Sequence, residues 1–341
     1  MNHLCIINPM AGHVSGHVNE VKDEIRHFFA GNPQMNYAIH VTRWKRDASG
    51  FVLRYVNNAS ETVRVYAFGG GGTLFEVVNG VVGLPNVQVA WYPLGREDGL
   101  LYAFGENSRD AFQSLKNLTL SPVIPFDTIL VKNHIVVGNL LIGFEAVSYQ
   151  KGRMLAEEYM LPLNASYLLA GFFYALIKPA VQHYHIKMDS IELEDDFIGC
   201  FVGNAFSYGV GKFAPDARFN DGYMDLYTLK PPPKRLGIRV AVDYIHGQYA
   251  KWPDYIRHYQ CKKLRITSPK NMILSMDGEI FYDRELNLEL LPASLDFVCP
   301  SKIAGDIFPA EQIKPGAVPE KHDSLPKKDL LQDIITSGEL R

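Results

Sequence analysis

Four consecutive glycines, Gly69 to Gly72, stand between an apolar strand-like run, Val65-Tyr-Ala-Phe68, and a hydroxyl, Thr73, that opens a helix-forming stretch, Leu74 to Val82. Such a run is costly in backbone entropy, so it marks a place where something must approach the main chain closely. A strand, a glycine turn and a helix start converge backbone N–H groups on one spot, and the helix dipole adds a field that favours negative charge. The pattern predicts a phosphate cradle. It is not a Walker loop, because no Lys-Ser/Thr pair follows the glycines. Gly209-Val-Gly-Lys212 is not one either, with Phe206 in place of the leading glycine and Phe213 in place of the hydroxyl.

The residues around this turn alternate in type at a fixed spacing. Leu4–Asn8, Tyr37–Thr42, Arg64–Phe68 and Val87–Tyr92 read as strands, and His17–Ala30, Asp47–Val56 and Leu74–Val82 as helices. That alternation implies a doubly wound α/β domain with a parallel sheet, whose ligands bind at the carboxyl ends of the strands. Two further turns fall at such ends: Asn8-Pro9-Met10-Ala11-Gly12 and Pro93-Leu94-Gly95. Together the three loops are placed to surround one nucleotide.

Beyond about residue 122 the pattern becomes strand-rich. Val123–Val131, His134–Leu141, His185–Leu193, Asp196–Val202, Tyr223–Leu229, Lys263–Thr267, Met272–Met276 and Leu286–Leu291 read as strands, with helices limited to Gly152–Glu158, Leu163–Ile177 and Pro233–Gly247. A second, mostly antiparallel β domain follows from this. The expected division is 1–122 for the α/β domain, 123–300 for the β domain and 301–341 for a tail, with 310–325 as linker and a short helix over Lys327–Ile335.

Composition narrows the function classes. A net charge of −3 without a basic block argues against a nucleic-acid partner. Cys5, Cys200, Cys261 and Cys299 are scattered and form no CxxC pair, which fits small buried apolar groups better than zinc ligands or disulfides. The N-terminus lacks the features of a signal peptide, and Leu161–Ile177 is slightly short for a membrane span and broken by Pro162 and Asn164. A cytoplasmic protein without a transmembrane segment, peripheral at the membrane at most, is expected.

On these residues the chain resembles the diacylglycerol kinase catalytic-domain family, which includes bacterial lipid kinases, sphingosine kinases and ceramide kinases. Asn8, Pro9, Ala11 and Gly12 match its NPxAG start. Gly69, Gly70, Gly72, Thr73, Glu76 and Asn79 match GGDGT and the E-V-V-N-G helix after it, and Pro93, Leu94 and Gly95 keep the start of PLGTGND. In the second half, Gly143-Phe-Glu-Ala146, Gly203-Asn204, Gly209-x-Gly211, Ala214-Pro215-x-Ala217, Asp221-Gly222, Asp225 and Met276-Asp277-Gly278-Glu279 are similar to its pattern. NAD kinases share the glycine turn, but the NPxAG start and the E-V-V-N-G helix favour the lipid-kinase branch.

The resemblance implies an α/β nucleotide domain followed by a β-sandwich, with the active site in the cleft between them. It implies transfer of the ATP γ-phosphoryl group to a lipid hydroxyl with Mg²⁺, and a homodimer is allowed. It assigns Asp277 as the base, with Glu279 beside it; read without the family, Asp277-Gly278 is a hairpin-turn signal. Asn8, Pro9, Gly12, Thr42, the four glycines, Thr73, Glu76, Gly95 and Arg96 are the implied nucleotide contacts. Asp221 and Asp225 are similar to acidic positions that hold a structural metal in some members. For the acceptor, Leu161–Ile177, with Tyr167, Leu168, Phe172, Phe173 and Leu176, is a candidate wall, although a core helix reads equally well.

Two departures cut across this. Gly71 replaces the acid of GGDGT, and Arg96-Glu97-Asp98-Gly99 replaces TGND. In one reading Glu97 or Asp98 is the substitute metal-binding carboxylate, with Arg96 clamping a phosphate; in another, transfer is lost and the chain is a nucleotide- or lipid-binding relative. A small-molecule kinase of the NAD-kinase type is the third reading.

Overall fold

The computed structural model describes residues 1–12, 14–95, 98–105, 108–174, 181–206 and 211–314. It divides into two compact units. Unit 1 comprises Met1–Phe126, Asn133–Ile135 and the chain from Ala293 onward, and unit 2 comprises Asp127–Lys132 and Val136–Pro292.

Unit 1 begins with β1 (Asn2–Ile7), α1 (Val18–Ala30), β2 (Asn36–Val41) and α2 (Asp47–Asn57), followed by β3 (Val63–Gly69), α3 (Gly71–Val81) and β4 (Val87–Pro93). The strands are parallel in the order β2-β1-β3-β4. Every residue of β3 and β4 is buried, as continuous apolar runs in a doubly covered parallel sheet require. Strand order reverses between β1 and β3, and a crevice at such a reversal is where open α/β sheets hold ligands. Two short helices, α4 (Ser108–Phe112) and α5 (Leu115–Leu120), then lead toward β5 (Val123–Val131).

The E-V-V-N-G segment ties α3 to its surroundings. The Asn79 side chain donates to the Ile135 carbonyl at 2.9 Å and accepts the Ile135 N–H at 2.8 Å, as a neighbouring strand would. A Cβ on Gly80 would lie 2.6 Å from the Ser49 carbonyl oxygen, so the two helices touch there only because this residue has no side chain.

Unit 2 contains β6 (His134–Val136, whose last residue belongs here), β7 (Asn139–Gly143), α6 (Phe144–Tyr159), α7 (Leu163–Phe172), β8 (Gln182–Met188), β9 (Ile191–Phe197), β10 (Gly199–Gly203) and β11 (Met224–Leu229). It continues with α8 (Lys234–Ile245), β12 (Ile256–Cys261), β13 (Lys263–Met276) and most of β14 (Glu279–Val298). Its antiparallel order is β12-β11-β10-β7-β13-β14, with the β8–β9 hairpin also paired to β13. Sequence reading divided β13 into 263–267 and 272–276. It is one strand with a register shift between Thr267 and Met272, where Pro269 cannot donate to the ladder.

Helix α6 is longer than expected, and α3 starts at Gly71 rather than Leu74, inside the glycine run. The expected linker over 310–325 is partly incorrect. After α9 (Ser301–Ile307), Lys314 pairs with Val123, so the described end of the chain belongs to unit 1. The helix expected over 327–335 lies outside the described residues. All four cysteines are buried and unbridged.

One buried acid distinguishes the helical layer of unit 2. Glu145 sits at the start of α6, where Tyr244 Oη donates to its Oε1 at 2.7 Å, and burial pushes its carboxyl up to about 8. The folded chain therefore keeps this proton between about pH 4.5 and 8 while the unfolded chain releases it, so folding stability falls as pH rises through that window. Glu145→Gln should flatten that part of the stability profile, whose slope approaches about 1.4 kcal/mol per pH unit for one proton. Denaturant titrations at half-unit pH steps give the measurement; an unchanged slope would contradict the assignment.

Candidate functional site

The glycine turn departs from the simplest account of its composition. None of Gly69 to Gly72 has the positive φ that usually demands glycine. What demands it at the first two is close approach. A Cβ on Gly69 would lie 2.2 Å from Thr73 Oγ1, and one on Gly70 would lie 3.2 Å from the Gly95 Cα. The turn thus folds its own hydroxyl back over the end of β3 and lets the loop after β4 pack against it.

Helix α3 begins at once, with extended Gly70 as its N-cap at φ −80° and ψ −172°. Thr73 and Leu74 donate to the Gly70 carbonyl at 3.0 and 3.2 Å. The N–H groups of Gly71 and Gly72 fall in the first turn of this 11-residue helix, where donors have no partner within the helix and the dipole is positive. Both residues are partly exposed.

Asn8 joins this turn to the loop after β1. Its Oδ1 accepts the Met10 N–H at 2.9 Å and its Nδ2 donates to Thr73 Oγ1 at 3.0 Å. Both ends of the amide are used, one to close the Asn8-Pro9-Met10-Ala11 turn and one to reach across the strand-order reversal. On the other side, Trp91 Nε1 and the Leu94 N–H donate to the Gly69 carbonyl at 2.9 and 3.1 Å. The three loops expected to surround one ligand are brought together in this way. Thr42 also lies nearby in the sheet, its N–H donating to the Ile7 carbonyl at 2.9 Å.

Glu76, expected among the nucleotide contacts, has its carboxylate on the Arg46 N–H at 2.8 Å, at the start of α2. Its place in the motif is explained by helix packing. Asp98 is buried against Gly70 and Gly95, 2.9 Å from the Arg109 guanidinium. Arg96 and Glu97 lie outside the described residues.

In unit 2 the motifs converge on one turn, Val137-Gly138-Asn139. Asp277 accepts all three of its N–H groups: Val137 on Oδ2 at 2.7 Å, and Gly138 and Asn139 on Oδ1 at 2.9 Å each. Asp277 (φ 45°) and Gly278 (φ 95°) also form the tight turn between β13 and β14, so the turn reading and the carboxylate reading hold at once. Burial raises the Asp277 carboxyl to about 6, although the three donated hydrogen bonds pull the other way. Glu279 follows, opposite Met276 in the ladder.

Asn204 holds the same turn from behind, donating to the carbonyls of Val137 at 2.7 Å and Asp127 at 2.8 Å. Asp127 in turn accepts the Gly222 N–H at 2.8 Å. Asp127 escaped the sequence reading because nothing local marks it. It is one residue in a strand, and its partner is 95 positions away.

Asp221 and Asp225, which the resemblance implied as metal positions, each have a partner within unit 2. Asp225 is fully buried with Oδ1 2.6 Å from His258 Nε2, while Asp221 closes its own turn on the Tyr223 N–H at 3.0 Å. Burial raises the Asp221 carboxyl, and the nearby carboxylates of Asp225 and Asp127 add to the rise. Among the described residues, no group of three or more His, Cys, Asp or Glu side chains is placed to hold a metal ion.

Unit 2 also contains an apolar cavity of ≈ 150 Å³ between its sheet and helices α6, α7 and α8. Tyr167, Leu168 and Phe172 line it from α7, with Phe144 and Glu145 from α6 and Tyr244 from α8. Of the residues expected in the wall, Tyr167, Leu168 and Phe172 line this cavity, Phe173 does not, and Leu176 lies outside the described residues. No helix among the described residues is long and apolar enough to cross a membrane.

Comparison with known proteins agrees with this architecture. Residues 2–131 match the diacylglycerol kinase catalytic domain, and residues 142–299 match the YegS C-terminal NAD kinase beta sandwich-like domain. A protein of Shewanella frigidimarina (strain NCIMB 400) called "Probable lipid kinase YegS-like" is 27% identical over 74% of this chain and 82% of its own length. A diacylglycerol kinase of Bacillus subtilis (strain 168) is 26% identical over 63% of this chain and 70% of its own. Among solved structures, one from Bacillus anthracis str. Sterne has a TM-score of 0.70 at 24% identity, covering 89% of this chain and 98% of that one. A diacylglycerol kinase structure from the same strain has a TM-score of 0.64 at 20% identity, over 89% and 98%. At those identities the structures establish the shared fold, an α/β domain with a C-terminal β-sandwich. The two halves of the chain thus match, in order, the diacylglycerol kinase catalytic domain and the C-terminal domain of the YegS type.

Proposed function

We propose that this protein is a lipid kinase that transfers the γ-phosphoryl group of ATP to a lipid hydroxyl. The observation that carries the proposal is the joined turn of unit 1, in which Asn8, Thr73 and Gly69 tie the loop after β1 to the N-terminus of α3. Backbone donors fixed in advance suit the charge that spreads over phosphoryl oxygens during transfer, and they cost no reorganisation at that moment. The Gly71 and Gly72 N–H groups are the donors we assign to the phosphates, and Thr73 keeps the turn in shape.

Unit 2 supplies the groups suited to the acceptor. Asp277, raised to about 6, is ionised at neutral pH yet basic enough to take the hydroxyl proton. Its three backbone hydrogen bonds fix its direction while leaving lone-pair capacity on Oδ2, which accepts only the Val137 N–H. The apolar cavity beneath α7 suits the acceptor's hydrocarbon chain. Mg²⁺ would enter with the nucleotide, because this ion is bound largely by phosphates and water with few protein ligands. Its absence from the residue account above is therefore compatible with this reading.

One observation favours a second reading, in which nucleotide binds and transfer is impaired. Gly71 provides no carboxylate at the head of α3, and Asp98, the described candidate to replace it, is paired with Arg109.

ATP should raise the thermal midpoint of the protein, and Thr73→Val, which removes the acceptor for Asn8, should weaken that effect at least several-fold; no shift with ATP at any Mg²⁺ concentration would refute the nucleotide site. Radiolabel transfer to diacylglycerol should fall by about 10²-fold or more in Asp277→Asn, the range for loss of a general base. The parent rate should rise with pH through about 6, as the carboxylate loses its proton, and the variant should lack that limb. Circular dichroism of the variant separates this loss from unfolding. Gly71→Asp distinguishes the two readings: a parent that binds ATP without transfer, but gains transfer in this variant, would establish the impaired form.

A further inference from the structure

The outer surfaces of α7 and α8 are at odds with a protein surrounded only by water. Helix α7 contains no charged residue, and it exposes Leu168, Leu169, Phe172 and Phe173, with Leu169 58% and Phe173 41% accessible. Leu168 and Phe172 both line the apolar cavity and reach solvent, so the exposed face continues into the cavity wall. Helix α8 turns Gly237, Val240 and Tyr244 inward. Outward it shows Lys234, Ile238 and Val242 at a spacing of four, with Arg235 and Arg239 beside them. Ile238 is 59% accessible.

Bulky apolar side chains interleaved with cations are the pattern of a helix that lies in a lipid interface, its apolar groups among acyl chains and its basic groups at headgroup depth. A face meant for a second copy of the chain would not gain from three like charges, which would repel their own image across a two-fold axis. The cations are local, since the chain as a whole carries a net charge of −3.

We propose that the exposed face of α7 and α8 docks unit 2 on a bilayer rich in anionic lipid, with the apolar cavity behind it. The proposal rests on the lipid-acceptor reading for its purpose, but its physical basis is this surface. Docked in this way, a lipid would pass from the leaflet along Leu168 and Phe172 without its chain crossing water.

The test is co-sedimentation of the full chain with vesicles of phosphatidylcholine alone, and of phosphatidylcholine with phosphatidylglycerol. The parent should partition to the anionic vesicles and lose much of that binding in about 0.5 M salt, where surface charges are screened. Lys234→Ala with Arg235→Ala should lower partitioning by roughly tenfold. Leu169→Asp, at a position that does not line the cavity, should do so by a similar factor or more. Both variants should keep the parent's rate toward a water-soluble short-chain acceptor. The proposal is overturned if the variants partition like the parent, or if the parent ignores anionic vesicles. It is also overturned if the aspartate variant dissolves a dimer seen by sedimentation velocity while vesicle binding is unchanged. A parent inactive on the soluble acceptor would count against the kinase reading, and the vesicle measurements would still decide this one.

Discussion

The Asn8–Thr73 hydrogen bond is the contact on which the candidate site depends. In a parallel sheet the loops beside a strand-order reversal diverge, which opens the crevice and leaves the loops without the support of a common helix layer. Here a single side-chain amide spans them, and it can do so because Gly69 has no Cβ to compete with Thr73 for the space at the end of β3. The same carbonyl of Gly69 accepts both Trp91 Nε1 and the Leu94 N–H, so the loop after β4 is held to the same residue. A small set of hydrogen bonds thus fixes three loops around the start of α3.

Unit 2 uses comparable economy around Val137-Gly138-Asn139. Asp277 takes its three N–H groups and Asn204 takes a carbonyl. A carboxylate fixed by backbone donors is normally a strong acid, and a carboxylate withdrawn from water is normally a weak one. At Asp277 the second effect wins, and the residue ends near 6. The motifs that share this turn therefore keep both a shape and an acidity, which explains why a turn-forming Asp-Gly and a reactive carboxylate need not be alternatives.

Much of this was legible in the sequence. Apolar periodicity located the four parallel strands of unit 1 and their helices to within a few residues, because continuous runs such as Val63–Gly69 have no other economical place than a buried sheet. The three glycine- and proline-bearing turns were legible for the same reason: turn residues fall where strands end. The weaker readings involved residues whose partners are remote. Glu76 was grouped with the nucleotide contacts through the family's E-V-V-N-G motif, and the fold sets its carboxylate on the Arg46 N–H. Asp225 was grouped with metal ligands through the family resemblance, and the fold sets His258 2.6 Å from it. A residue's type shows what it can bond to, and only the fold shows which partner is within reach.

The sequence by itself determined the strand–glycine–helix cradle, the order of the α/β elements and the family resemblance, since these depend on local periodicity and on motifs that are contiguous in the chain. The tertiary structure decided why glycine is needed. At Gly69 and Gly70 the reason is crowding by Thr73 and Gly95, not backbone handedness. It also decided that Asn8 bridges to Thr73, 65 positions along, and that Asp277 closes on a turn about 140 residues before it. Those pairings are set by the sheet's strand order, which brings distant loops to a common end, and strand order is a property of the folded chain that no local pattern contains.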